Sequence, residues 1–126
     1  MKNIINTNNA PAPIGPYSQA VATGNFLFVS GQIPMNPATG EIIGTDIKAE
    51  AKQVMENIGA ILTEAGIGFG NIVKTTIFLT DMQSFASVNE VYGSYFTDQF
   101  PARETVQVSG LPKNVNVEIS VIAIKS

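Results

Sequence analysis

Ile72-Val73-Lys74-Thr75-Thr76-Ile77-Phe78-Leu79-Thr80 is β-branched or apolar almost throughout, the composition of a buried strand. Upstream of it, Ile47, Ala51, Val54, Ile58, Ile61, Leu62 and Ala65 keep helical spacing. Thr45 or Asp46 is placed to cap the start of that helix, and Gly66 falls just past its end. Gly66 to Asn71 then reads as a flexible connection. A helix that feeds a buried strand implies a βαβ-like crossover. Downstream, Phe85, Val88, Val91, Tyr92, Tyr95 and Phe96 share one broad face, which predicts a second helix from about Ser84 to Thr97, with Gly93 as its weak point.

Further out, Tyr17 to Ala22 and Phe26 to Ser30 flank Thr23-Gly24-Asn25, and this pattern predicts an antiparallel hairpin. Gly31 to Gly40 is expected to be a loop, because Pro34 and Pro37 cannot donate to a central ladder. Glu41-Ile42-Ile43 follows it as a short strand. Arg103 to Val108 and Val115 to Ile124 alternate as strands, and Ser109 to Asn114 between them is read as a hairpin loop. The sum is an α+β chain forming one domain over residues 1–126, with two helices on one face of a mixed sheet. The opposite face needs cover, and sister subunits are the simplest source.

Composition narrows the chemistry. There is no cysteine and no histidine, which excludes disulfides, thiolate catalysis and Ser-His-Asp mechanisms and removes the usual zinc ligands. Neither a metal nor a cofactor is expected. Net charge is −3 with the lysines scattered, so nucleic acid is a poor partner. The start of the chain breaks into polar amides before any apolar signal core, and no run reaches membrane-spanning length; a cytoplasmic location without membrane contact is expected. Only 13% of the residues are charged, which favours a homo-oligomer.

Arg103 is the sole arginine, and its rigid donor fork matches a carboxylate. If the last two strands paired as a hairpin, Glu118 would approach Thr105, with Arg103 on the same face. That cluster admits a structural ion pair as readily as a site. Tyr17 and Ser30 on the first hairpin and Asn89 on the second helix read individually as packing, turn and solvated amide. Gly66-Ile67-Gly68-Phe69-Gly70 lacks the lysine of a phosphate loop.

Collectively, Ala12 to Ala20, Val29-Ser30-Gly31-Gln32-Ile33-Pro34, Asn57-Ile58, Val88-Asn89-Glu90-Val91-Tyr92, Pro101-Ala102-Arg103, Leu111-Pro112 and Val117-Glu118-Ile119 resemble the RidA (YjgF-type) family of reactive imine and enamine deaminases. The resemblance spans essentially the whole chain. It implies a chorismate-mutase-like fold, a homotrimer and a cleft between subunits. It also implies hydrolysis of 2-imino acids, formed from enamines such as 2-aminoacrylate, to 2-keto acids and ammonia. Under it, Arg103 corresponds to the carboxylate-binding arginine and Glu118 to the water-orienting glutamate. Tyr17 and Ser30 correspond to pocket residues, with Gly31 and Asn89 nearby. Thr105 stands where many members carry cysteine and is taken as a third candidate catalytic residue; its hydroxyl can bond a water but supplies no thiol. A non-catalytic protein that senses small carboxylates is the alternative, and ribonuclease activity ranks last.

Overall fold

The computed structural model describes residues 1–44 and 46–125. Six strands form one sheet: β1 (Asn3–Ile5), β2 (Ala20–Thr23), β3 (Phe26–Gln32), β4 (Ile72–Leu79), β5 (Ala102–Gln107) and β6 (Val117–Ile124), in spatial order β1-β2-β3-β6-β4-β5. Helix α1 (Ile47–Glu64) links β3 to β4, and α2 (Phe85–Gly93) links β4 to β5. This is the α+β arrangement of a mixed sheet with two helices.

Asp46 caps α1, its carboxylate accepting the Ala49 N–H at 2.8 Å. The alternative cap, Thr45, lies outside the described residues. At the other end Gly66 takes φ +81°. The Gly66 and Ile67 N–H groups then close back on the Thr63 and Leu62 carbonyls, a glycine-dependent stop that satisfies the last helical acceptors. Replacing Asp46 with alanine removes the N-terminal cap and should cost about 1 kcal/mol of stability in urea unfolding. The inward stripe of α1 packs Val54, Met55, Ile58, Ile61 and Leu62 against Leu27, Ile77, Leu79, Ile119 and Val121 of the sheet. Each of these large side chains, taken fully out of water, contributes about 1.5–3 kcal/mol.

The crossover through α1 is a split one: β3 and β4 both pair antiparallel with β6, which is threaded between them. A buried polar tie fixes where β6 begins. Glu50, in the first turns of α1, accepts the Asn116 backbone N–H at 3.1 Å and the Asn116 side-chain amide at 2.8 Å. Val117, Ile119, Val121 and Ala123 then point into the core, while Glu118, Ser120, Ile122 and Ile124 face the other way.

Several expectations are corrected. β5 and β6 do not form a hairpin: β5 runs parallel to β4, and β6 occupies the other side of β4. The α2 crossover sets β5 parallel to β4, whereas alternation in sequence specifies faces and not neighbours. α2 ends at Gly93 instead of Thr97, where the absence of a side chain weakens the helix. The first hairpin does pair antiparallel, Val21 opposite Phe28, but β2 begins only at Ala20, so Tyr17 lies on the preceding loop. β3 runs on to Gln32, past the expected start of the loop. The strand expected at 41–43 is reduced to a single bridge between Met35 and Ile42. β1, at the sheet edge, was not anticipated among the polar amides around it.

Candidate functional site

Arg103 leaves β5 on the helix face of the sheet, because its register partner is the fully buried Thr75 of β4. Its guanidinium lies 5.5 Å from the centroids of both the Phe85 and Tyr92 rings. Nη1 donates to Asn89 Oδ1 at 2.6 Å. Positions 85, 89 and 92 fall on one side of α2 by helical spacing, so a single helix face supplies two aromatic walls and an acceptor. Tyr92 is itself anchored, donating from its hydroxyl to Thr75 Oγ1 at 2.9 Å. Burial raises its phenol above the ordinary tyrosine value, opposed by that hydrogen bond and by Arg103. The cation is therefore held on three sides, without a carboxylate partner among the described residues. It borders a hollow of about 470 Å³ lined by Asn89, Tyr92, Gly93, Phe100, Pro101 and Arg103.

Glu118 belongs to a different place. It pairs across the sheet with Phe78, which pairs in turn with Val106, and this row points away from the helices. Arg103 and Thr105 share the face of Thr75 and Ile77. Within one chain, then, the expected cluster of Arg103, Thr105 and Glu118 does not exist, and neither does an ion pair between Arg103 and Glu118. The sheet itself separates them.

Around Glu118 the chain builds a second hollow of about 300 Å³, lined by Ile14, Tyr17, Ser30, Gly31, Pro112 and Glu118 among others. The carboxyl is half-buried, and burial raises its pKa above the usual glutamate value. Gly31 is essential to its seat, since a Cβ built on Gly31 would stand 1.9 Å from Glu118 Oε2. Gly31→Ala should displace the carboxylate while leaving the fold intact by circular dichroism. The shift should show as a change in the Glu118 carboxyl resonance, and in its titration, by carbon-13 NMR. Ser30 Oγ donates to the Ser18 carbonyl at 2.6 Å, which commits its proton to the loop that carries Tyr17.

Tyr17, Ser30, Gly31 and Glu118 are thus brought together, and Arg103 is brought to Asn89. Thr105 lines neither hollow; its Oγ1 is buried with no hydrogen-bond partner among the described residues. Sequence periodicity assigns Phe85 and Tyr92 to the broad face of the second helix and says nothing of Phe100. The helical spacing of 85, 89 and 92 was the signal that could have placed two of them beside Arg103. Among the described residues no three His, Cys, Asp or Glu side chains converge as metal ligands, and no helix is long and apolar enough to cross a membrane.

One face of this sheet therefore offers an aromatic-walled cation and the other a partly desolvated carboxylate, on a fold shared with several solved structures. Residues 7–125 match the family described as endoribonuclease L-PSP; the chain belongs to that family, which is the RidA/YjgF family. A RutC family protein of Pyrococcus horikoshii is 56% identical over 99% of both chains. The 2-iminobutanoate/2-iminopropanoate deaminase of Escherichia coli is 49% identical, again over 99% of both. Among solved structures, the YjgF gene product of E. coli superposes with a TM-score of 0.94 at 49% identity, covering 98% of this chain and 99% of the other. E. coli TdcF with bound serine gives 0.94 at 46%, also over 98% and 99%.

Proposed function

We propose that the protein hydrolyses reactive 2-imino acids to 2-keto acids and ammonia, at sites that two neighbouring subunits of a homotrimer complete together. The observation that carries this reading is the separation of two complementary half-sites on opposite faces of one sheet. A cation free to grip a carboxylate lies on one face and a carboxylate able to direct water lies on the other. The face bearing Glu118 also exposes Phe28, Val106 and Ile4, an apolar surface that a second copy of the sheet would cover. The 49% identity to a protein named as an iminobutanoate deaminase supports the same reading, as does serine, an α-amino acid, bound to TdcF.

In this mechanism Arg103 receives the substrate carboxylate in a two-pronged hydrogen bond, with its plane set by Asn89 and the two rings. The imine nitrogen is protonated, so its carbon is already electrophilic and needs orientation more than activation. Glu118 of the adjoining subunit accepts a proton from a water molecule as the water oxygen bonds to that carbon. That proton passes to nitrogen; the hydroxyl then gives its own proton to the Glu118 carboxylate as the C–N bond breaks, ammonia departs and a carbonyl remains. Tyr17 and Ile14 wall off the hollow beside the attacking water.

Adding the purified protein to a serine or threonine dehydratase assay should accelerate keto-acid appearance and reduce chemical trapping of the imine. Equal rates with and without it would remove the proposal. Keto-acid binding by a native protein that gives no acceleration would leave the sensing role in its place.

A further inference from the structure

Gln19 is the polar side chain that neither half-site uses and that the interior holds most firmly. It is 1% exposed and stands immediately before β2, at the end of a stretch, residues 6–19, that contains neither helix nor strand. Its Oε1 accepts the Thr7 N–H at 2.7 Å, and its Nε2 faces the carbonyls of Thr7, Ala10 and Pro11 at 3.0, 3.2 and 2.9 Å. One carboxamide therefore meets both backbone groups of Thr7 and shares its two N–H bonds among the Thr7 carbonyl and those three and four residues on. Otherwise, among the described residues, the stretch is tied by short-range bonds, Asn9 to Thr7 and Tyr17 to Gly15 and Ile14, and at its end by Ser30, whose N–H and hydroxyl reach the Gln19 and Ser18 carbonyls.

The segment so fastened ends in Ile14 and Tyr17, which wall the Glu118 hollow. Tyr17 is 47% exposed, so core packing does not fix its ring; its hydroxyl accepts the Ile14 N–H at 3.3 Å, and the path of the backbone that carries both residues sets where the pair lies. We infer that Gln19 is a positioning residue, whose amide straps residues 7–11 onto the interior and thereby sets the Tyr17 wall beside the Glu118 carboxylate. A carboxamide is required, because three carbonyls and one N–H converge on it and no other uncharged side chain of that length donates and accepts at once. The inference rests on the reading of this hollow as the half that directs water.

The test uses the intact protein labelled with fluorotyrosine, in which Tyr17, Tyr92 and Tyr95 give separate fluorine resonances and Tyr17→Phe identifies the first. In Gln19→Ala, the Tyr17 resonance should move toward that of free fluorotyrosine, with those of Tyr92 and Tyr95 unmoved. The kcat of imine hydrolysis should fall about tenfold to 10²-fold, while keto-acid affinity, which Arg103 sets, changes less than threefold. Gln19→Glu keeps the shape and the acceptor but loses donors, and should give the same pattern if the alanine variant folds poorly. The loss should also shrink severalfold in a Tyr17→Ala background, because the two act through one wall. An unmoved Tyr17 resonance, or additive losses in the double variant, would overturn the inference. The fluorine result stands whether or not the native protein proves to be a deaminase, so failure of the positioning role and failure of the proposed reaction are separable.

Discussion

Arg103→Ala should leave a folded protein whose kcat/KM for imino-acid hydrolysis has fallen by about 10²–10⁴, since each lost hydrogen bond to a charged group is worth about 1.5–3 kcal/mol and the fork supplies two. Folding should survive because the guanidinium is exposed and its contacts are one amide and two ring faces. Arg103→Lys separates charge from shape. A lysine restores a cation but not the planar fork, and its ammonium cannot lie flat between Phe85 and Tyr92; recovery should be partial. Calorimetry with a small keto acid checks the binding half of this directly. Wild-type affinity in the alanine variant would show that the substrate carboxylate is held elsewhere.

Glu118→Gln should lower kcat by a comparable 10²–10⁴ while sparing keto-acid binding, because general-base assistance is lost and the grip on the carboxylate is not. The pH dependence follows from the raised pKa. On the proposed reading the acting form is the anion, so activity should be absent at low pH and rise as pH climbs through the folded pKa of Glu118. Burial places that rise above the ordinary glutamate value of about 4.3. The same burial penalises the charged form in the folded chain, a cost absent below the unfolded pKa and fully present above the folded one. Glu118→Gln should accordingly gain stability at neutral pH and none in acid, as thermal unfolding at both pH values would show.

Mixing the two inactive variants tests the seam itself. If the protein assembles as proposed, then in trimers re-formed from equal amounts of Arg103→Ala and Glu118→Gln subunits about one quarter of the seams join an intact arginine to an intact glutamate. Activity should return to that fraction, and no return would place both residues in sites that a single chain completes.

Much of this was legible in the residues. The stripe from Ile47 to Ala65 marked α1 because its period, cap and terminal glycine agreed, and the alternation of Val117 to Ile124 gave the correct faces of β6. Neighbour order was not legible: Ser109 to Asn114 looks the same whether it turns a hairpin or carries the chain across β4. From that followed the misplaced cluster of Arg103, Thr105 and Glu118, each on its proper strand but assigned to one face of one chain. The seat of Glu118 on Gly31 was equally hidden, since it depends on how closely β3 approaches β6 where their register shifts. The role of Phe85 was masked by periodicity, which cannot tell an aromatic that fills the interior from one that flanks a cation.

The partition of cation and carboxylate between opposite faces of the sheet ties output to encounter. On the proposed reading a newly made monomer would be inert, and specific activity would decay when the protein is diluted below the dissociation constant of its subunits and recover when it is reconcentrated. Supply of the polypeptide would then govern the reaction more steeply than in proportion, so that a cell making little of it would obtain almost none of the benefit.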